Sequence, residues 1–117
     1  VAVETLLATA IRARCPRVFP LFAPVAMPRP YVTYQLIGGT PLRYTEGAAA
    51  PQRMSMVQIE AWDDTHMGAL ALLRQIEDDL STSAAFQARP IGEVQTQADE
   101  DLPRYGAQMD FEVLAPR

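Results

Sequence analysis

The stretch from Met54 to Leu80 limits the possible folds more than any other part of the chain. Its first half alternates: Val57, Ile59 and Ala61 fall on one side of an extended segment, and Gln58, Glu60 and Trp62 on the other, because successive strand side chains point to opposite faces. Asp63-Asp64 stops the strand, and a helix is expected to open near Thr65. Ala69, Leu70, Leu73, Ile76 and Leu80 recur at helical spacing, so that helix carries an apolar stripe that needs a cover. The nearest cover is the apolar strand face. The pattern predicts a helix laid on one side of a sheet and leaves the other side to be explained.

Residues 1–117 have room for a single domain with one modest core. A hydrophobic fraction of 49% with 21% charged residues is ordinary for a globular chain, and no apolar run approaches the roughly 18–20 residues that span a bilayer. No membrane partner is expected. Glu4, Thr5, Thr9 and Arg12 interrupt the N-terminal segment, which therefore does not read as a secretory signal. Cys15 is the only cysteine, so an intrachain disulfide or a cysteine-rich zinc site is ruled out, and a small space-filling role is expected. All ten basic residues are arginine, a bias that suggests a GC-rich bacterial or phage genome. With a net charge of -4 and scattered arginines, the chain lacks the clustered positive charge on which phosphate affinity depends.

Along the chain, Val3, Leu6, Leu7, Ala10, Ile11 and Arg14 predict an amphipathic helix over 2–15, ended by Pro16. Five prolines between Pro16 and Pro30 predict an extended strap, unable to pair regularly in a sheet, whose apolar residues pin it to the core. Tyr31 to Ile37 alternates as a strand that Gly38-Gly39 is expected to stop. Residues 39–53 are too many for a tight hairpin and predict an exposed, flexible arm. Ile91 to Ala98 reads as an edge strand, and Ala107 to Leu114 has the cleanest alternation in the chain. The fold class is therefore α+β: an antiparallel sheet of about four strands, two helices on one face, in the order α-β-β-α-β-β.

Catalytic candidates are scarce. His66, the only histidine, stands beside Asp63, Asp64 and Thr65, where a metal-dependent hydrolase would need further convergent ligands. The plainer reading is a helix cap, with the aspartates favouring the positive helix end. Asp99-Glu100-Asp101 lacks the glycine and glutamate of a calcium loop, and Gly38-Gly39 leads to a proline and not to a phosphate-binding helix start. No catalytic, cofactor or metal residues are assigned. What remains is the second sheet face, a row of Thr33, Gln35, Gln58, Glu60, Trp62, Glu93, Gln95, Gln97, Gln108, Asp110 and Glu112. Such a row is a solvated face, or else a wet subunit interface or lumen lining. A small-ligand-binding or regulatory domain is the alternative from another class, with Tyr31, Trp62 and Met56 lining a pocket on that face.

Several segments carry a resemblance: Arg17-Val18-Phe19-Pro20-Leu21 with Ala23-Pro24, Pro30-Tyr31-Val32-Thr33-Tyr34-Gln35 running to Gly38, Val57-Gln58-Ile59-Glu60-Ala61-Trp62, and the helix after Asp64-Thr65. In these the chain resembles the small phage tail-completion proteins of the DUF3168 family, which act as head-to-tail joining or tail-terminator subunits. The run from Pro20 to Gly38 is the most specific part. Where relatives place Tyr-x-Glu-Ala in the first turn of the second helix, this chain has His66-Met67-Gly68-Ala69, a departure that removes a capping-box glutamate.

The resemblance implies a structural virion protein and no enzyme. It implies a homo-oligomeric ring, expected to be a hexamer, at the head-proximal end of the tail, made in the bacterial host cytoplasm. Its partners would be the tail-tube protein and a head-completion or connector protein, with DNA passing through unbound. Strap and arm are the expected subunit contacts. Arg43, Tyr44 and Arg53 on the arm and Gln58, Glu60 and Trp62 on the strand are the expected interface residues, since Arg, Tyr and Trp dominate interface hot spots.

Overall fold

The computed structural model describes residues 3–43, 47, 51–99 and 104–116. Helix α1 (Val3–Arg12) leads to strands β1 (Val18–Pro20), β2 (Tyr31–Thr40) and β3 (Gln52–Asp63). Helix α2 (His66–Ser81) and strands β4 (Gln87–Asp99) and β5 (Arg104–Pro116) follow. The fold is α+β, with one sheet in the spatial order β1-β2-β3-β5-β4.

Strand β3 is the axis. It pairs antiparallel with β2 on one side, from Tyr31↔Trp62 to Thr40↔Met54, and with β5 on the other, from Gln52↔Pro116 to Asp63↔Tyr105. Because the register is unbroken against β5, Val57, Ile59 and Ala61 share a face with Phe111, Met109 and Ala107. All six are buried. Leu73, Ile76, Leu80 and Ala69 of α2 close over them, and Leu7 and Ile11 of α1 extend the same core toward Val32 and Tyr34 of β2. Each fully buried Leu, Ile or Phe contributes about 1.5–3 kcal/mol relative to an exposed one, so this dry layer outweighs any surface pairing in the molecule.

The helix boundaries have local causes. Thr65 is extended (φ -129°, ψ 149°), and its hydroxyl accepts from the Gly68 N–H at 3.0 Å. Such a cap is worth about 1 kcal/mol. A Cβ on Gly68 would lie 2.2 Å from Asp63 Oδ2 and 2.7 Å from Thr65 Oγ1. Thus the aspartate carboxylate fills the space a larger residue would take at this turn, which explains why glycine stands there. Helix α1 is shorter than the expected 2–15, but the N–H groups of Arg14 and Cys15 still bond the Ile11 carbonyl at 2.9 Å. Cys15 is buried. Arg14 donates from Nε and Nη2 to the two carboxylate oxygens of Asp79, joining α1 to α2 and raising the guanidinium pKa above its ordinary value.

The sheet differs from expectation in three places. It has five strands, because the proline strap does pair: β1 runs parallel to β2 through Val18↔Val32, Phe19↔Thr33 and Pro20↔Tyr34, which makes the sheet mixed. Proline is tolerated there because β1 is an edge, where a missing N–H breaks no ladder. Second, β2 does not stop at Gly38-Gly39 but passes through them to Thr40, with a bulge between Leu36 and Gly38. Gly39 has φ +137°, and a Cβ on it would fall 2.4 Å from the Met54 carbonyl oxygen, so glycine permits the pairing it was expected to end. Consequently residues 39, 40, 52 and 53 belong to strands, and the expected arm narrows to the connection 41–51. Third, β4 begins at Gln87 and shifts register between Ile91 and Gln95, where Gly92 has φ +78°.

Gly39→Ala is expected to destabilise the protein by about 2 kcal/mol through backbone strain and the clash with Met54. Phe111→Ala is expected to cost about 3–5 kcal/mol by leaving a cavity under α2. Urea denaturation of each variant against the parent measures both.

Candidate functional site

The polar face of the sheet is wet at one end and covered at the other. Beyond β1 the chain turns through Leu21 (φ 66°) and Ala26 (φ 61°), with the Leu21 N–H donating to the Tyr34 carbonyl at 2.8 Å. The strap then crosses that end of the sheet and is tied down where Arg29 pairs with Asp64. Beneath it Tyr31 and Thr33 are buried, although the alternation places both on the polar face.

Trp62 is the centre of this covered end. It lies directly over Gly106, its cross-strand partner, where an added Cβ would be 2.9 Å from the indole ring. Tyr31 stacks beside it at 6.5 Å between centroids. The Arg104 guanidinium carbon sits 4.7 Å from the ring centroid, a cation–π arrangement. Arg104 also donates to Tyr31 Oη at 2.6 Å and pairs with Asp99 at 3.0 Å. Tyr31, Trp62, Arg104 and Asp99 thus form one unit that joins β2, β3, β5 and β4. Trp62 is half-buried as a result, so this end of the face is not simply solvated.

Toward the middle of the face, Gln97 reaches Glu60 at 3.4 Å and Gln108 at 3.5 Å, and Gln108 donates to Gln95 at 3.0 Å. Arg89 pairs with Glu112 at 3.1 Å. These exposed contacts are weak individually. They hold the side chains in a ladder across β3, β5 and β4 without drying the surface.

The expected interface residues fall into two groups. Glu60 and Trp62 line a cavity of about 360 Å³ between strap and sheet, with Tyr31, Thr33, Arg29, Arg104 and the strap residues Leu21, Phe22, Val25 and Met27. Arg43 and Arg53 line a separate cavity of about 300 Å³ at the far end of β3, with Gly38, Gly39, Thr40, Pro41, Met54 and Ser55. Gln58, half-buried, lies between the two on the polar face, opposite Gln35 and Asp110. Tyr44 lies outside the described residues. Sequence reading missed Arg104 and Gly106, which share a strand parity with Gln108 and Asp110 but sit beyond the expected start of β5.

The alternatives can be placed as well. Met56 does not line the strap cavity with Tyr31 and Trp62, because it pairs with Gly38 well down the strand. Among the described residues no three His, Cys, Asp or Glu side chains converge as a metal site. His66 is exposed, and Asp64 is engaged by Arg29. Among the described residues, no helix is long and apolar enough to cross a membrane.

No protein-family model matches the chain, and no curated protein matches it. Solved structures do. A chain of the native gene transfer agent (GTA) virion particle superposes with a TM-score of 0.60 at 16% identity, covering 99% of this chain and 98% of that one. The two therefore share a fold along their whole length. Two structures from Akkermansia muciniphila align over 71% of this chain with TM-scores of 0.41 and 0.37, covering 42% and 44% of theirs. At 8% and 7% identity they carry no argument.

Arg104→Met is expected to leave the core intact but expose the indole. Because Trp62 is the only tryptophan, acrylamide quenching of fluorescence reads it directly and should rise. Gly106→Ala should displace the ring and give the same signature with a loss of stability of about 1–3 kcal/mol.

Proposed function

We propose that this chain is a structural subunit of a phage-like virion, a tail-completion or head-to-tail joining protein that assembles as a ring at the head-proximal end of the tail. The observation that carries this reading is the end-to-end fold match to a chain of the gene transfer agent virion. Matching over nearly the full length of both chains favours a subunit of the same kind over a domain borrowed into another setting. The DUF3168-like segments support the same role. Ring size is taken as six on that resemblance.

The physical properties suit the position. A net charge of -4 and an outer face of glutamines and carboxylates let DNA pass without adhering. The same face, hydrogen-bonded yet wet, suits contacts rich in polar groups and water. The tail-tube protein and a head-completion or connector protein are the partners. The connection 41–51 is the proposed arm, and it contacts the neighbouring subunit on assembly. No reaction is assigned to the chain. It would be made in the host cytoplasm and function in the particle.

Electron microscopy of purified particles or tails carrying a gold-labelled version of the protein is the direct test. Label at the head-proximal tail end is expected, and label along the tail or absent from particles would overturn the assignment. Replacing residues 44–50 by two glycines should leave the monomer folded by circular dichroism while tail completion falls sharply. Full completion by that variant would remove the arm from the mechanism.

A further inference from the structure

Five of the ten arginines make an ion pair within the subunit among the described residues. Arg14, Arg29, Arg74, Arg89 and Arg104 each pair with a carboxylate. Arg43 and Arg53 do not: among the described residues Arg43 donates only to the Gly47 carbonyl at 3.2 Å, and Arg53 is exposed with no ion pair. Both line one cavity at the hairpin end of β3. Arg12 and Arg17 also have no ion pair among the described residues: Arg12 is exposed on α1, and Arg17 donates to the Pro30 carbonyl at 3.3 Å.

At the other end of β3 the situation is reversed. Glu60 opens into the strap cavity with only a long hydrogen bond from Gln97 and no cationic partner among the described residues. Thr33 lines the same cavity, 6% exposed, with no side-chain hydrogen bond among the described residues. The rim is apolar and unusually bare: Phe22 is 77% exposed and Val25 99%. Arg29 and Arg104 line the cavity too, each held by its own carboxylate, Asp64 and Asp99, which leaves Glu60 as the lining carboxylate without an ion pair among the described residues, under an apolar rim of the kind that marks contact surfaces. The hairpin end has the matching character, since exposed Leu36 and Ile37 lie beside its arginine-lined cavity.

We propose that these two cavities are complementary halves of a head-to-tail contact between copies of this chain, the Arg43/Arg53 end of one copy seating on the Glu60/Thr33 socket of the next. This deepens the ring reading and rests on it. A guanidinium supplies a forked donor set and a positive charge that a carboxylate and a hydroxyl accept, and its stem adds apolar contact at the rim. Positions 53 and 60 are separated by about 23 Å along the strand, so the two surfaces are distinct and the contact is heterologous. Repetition of a heterologous contact closes into a ring when the rotation permits.

The test uses full-length protein, assembled alone and on tubes of the tail-tube protein from the same genome, with oligomer mass followed by light scattering and ring occupancy by electron microscopy. Parent protein should assemble. Glu60→Arg alone, and Arg43→Glu with Arg53→Glu, should each weaken assembly by about tenfold or more, with unchanged melting temperatures. An equimolar mixture of the two variants should recover assembly, because every contact in an alternating ring again brings opposite charges together. Glu60→Gln, which removes charge without added bulk, should show an intermediate loss and covers the case in which Glu60→Arg does not fold. If the parent assembles and the variants assemble equally well, the docking surfaces are wrong while the ring stands. If single sets fail and the mixture does not recover, the two ends do not meet each other. If the parent forms no ring alone or on tubes, the ring reading itself falls.

Discussion

Everything in this fold depends on the two-sided pairing of β3. A strand hydrogen-bonded along both edges cannot slip by one residue without turning its whole apolar set to the wrong face. Here a slip would expose Val57, Ile59 and Ala61 and drive Gln58 and Glu60 under α2. The twelve-residue register against β5 thus fixes at once which side is core and which side faces outward. Helix α2 follows from β3 in sequence and folds back onto it, so the core is assembled around one continuous segment and completed by α1, β2 and β5.

The outward side owes its character to Trp62. A large aromatic on a polar face needs a backbone without side chain beneath it and partners around it. Gly106 provides the first, Tyr31 and Arg104 the second. Arg104 then carries the arrangement to Asp99 on β4. One end of the sheet is dry because the strap has a surface to lie on. The rest is wet because no described residue crosses it, and the glutamine ladder has room to form.

This division gives the subunit two ends of different chemistry on one rigid element. The strap end has exposed apolar residues around a carboxylate, and the hairpin end has arginines beside exposed Leu36 and Ile37. A long strand is a good spacer for such ends, since its backbone pairing holds them at a set distance. Covering the unpaired charges at these ends is favourable only where the covering surface brings the opposite charge.

Local pattern carried most of the architecture. Alternation over 57–62 and 107–113 determined the strands and their buried sides, and helical spacing over 69–80 determined the stripe of α2, because both depend on backbone periodicity that each segment has by itself. Tertiary packing decided the rest. Pro20 could join a strand only because β2 offered an edge, and Gly38-Gly39 continued β2 because a bulge and the nearby Met54 carbonyl favour the absence of a Cβ. Arg104 and Gly106 carried no local signal of their role, which exists only once β5 lies against β3 and places them at Trp62. Likewise four of the expected interface residues separated into two cavities, Arg43 with Arg53 at the hairpin end of β3 and Glu60 with Trp62 under the strap, while Gln58 lies between them. Periodicity assigns a residue to a face. Only long-range pairing decides which residue lies across from it and what covers them both.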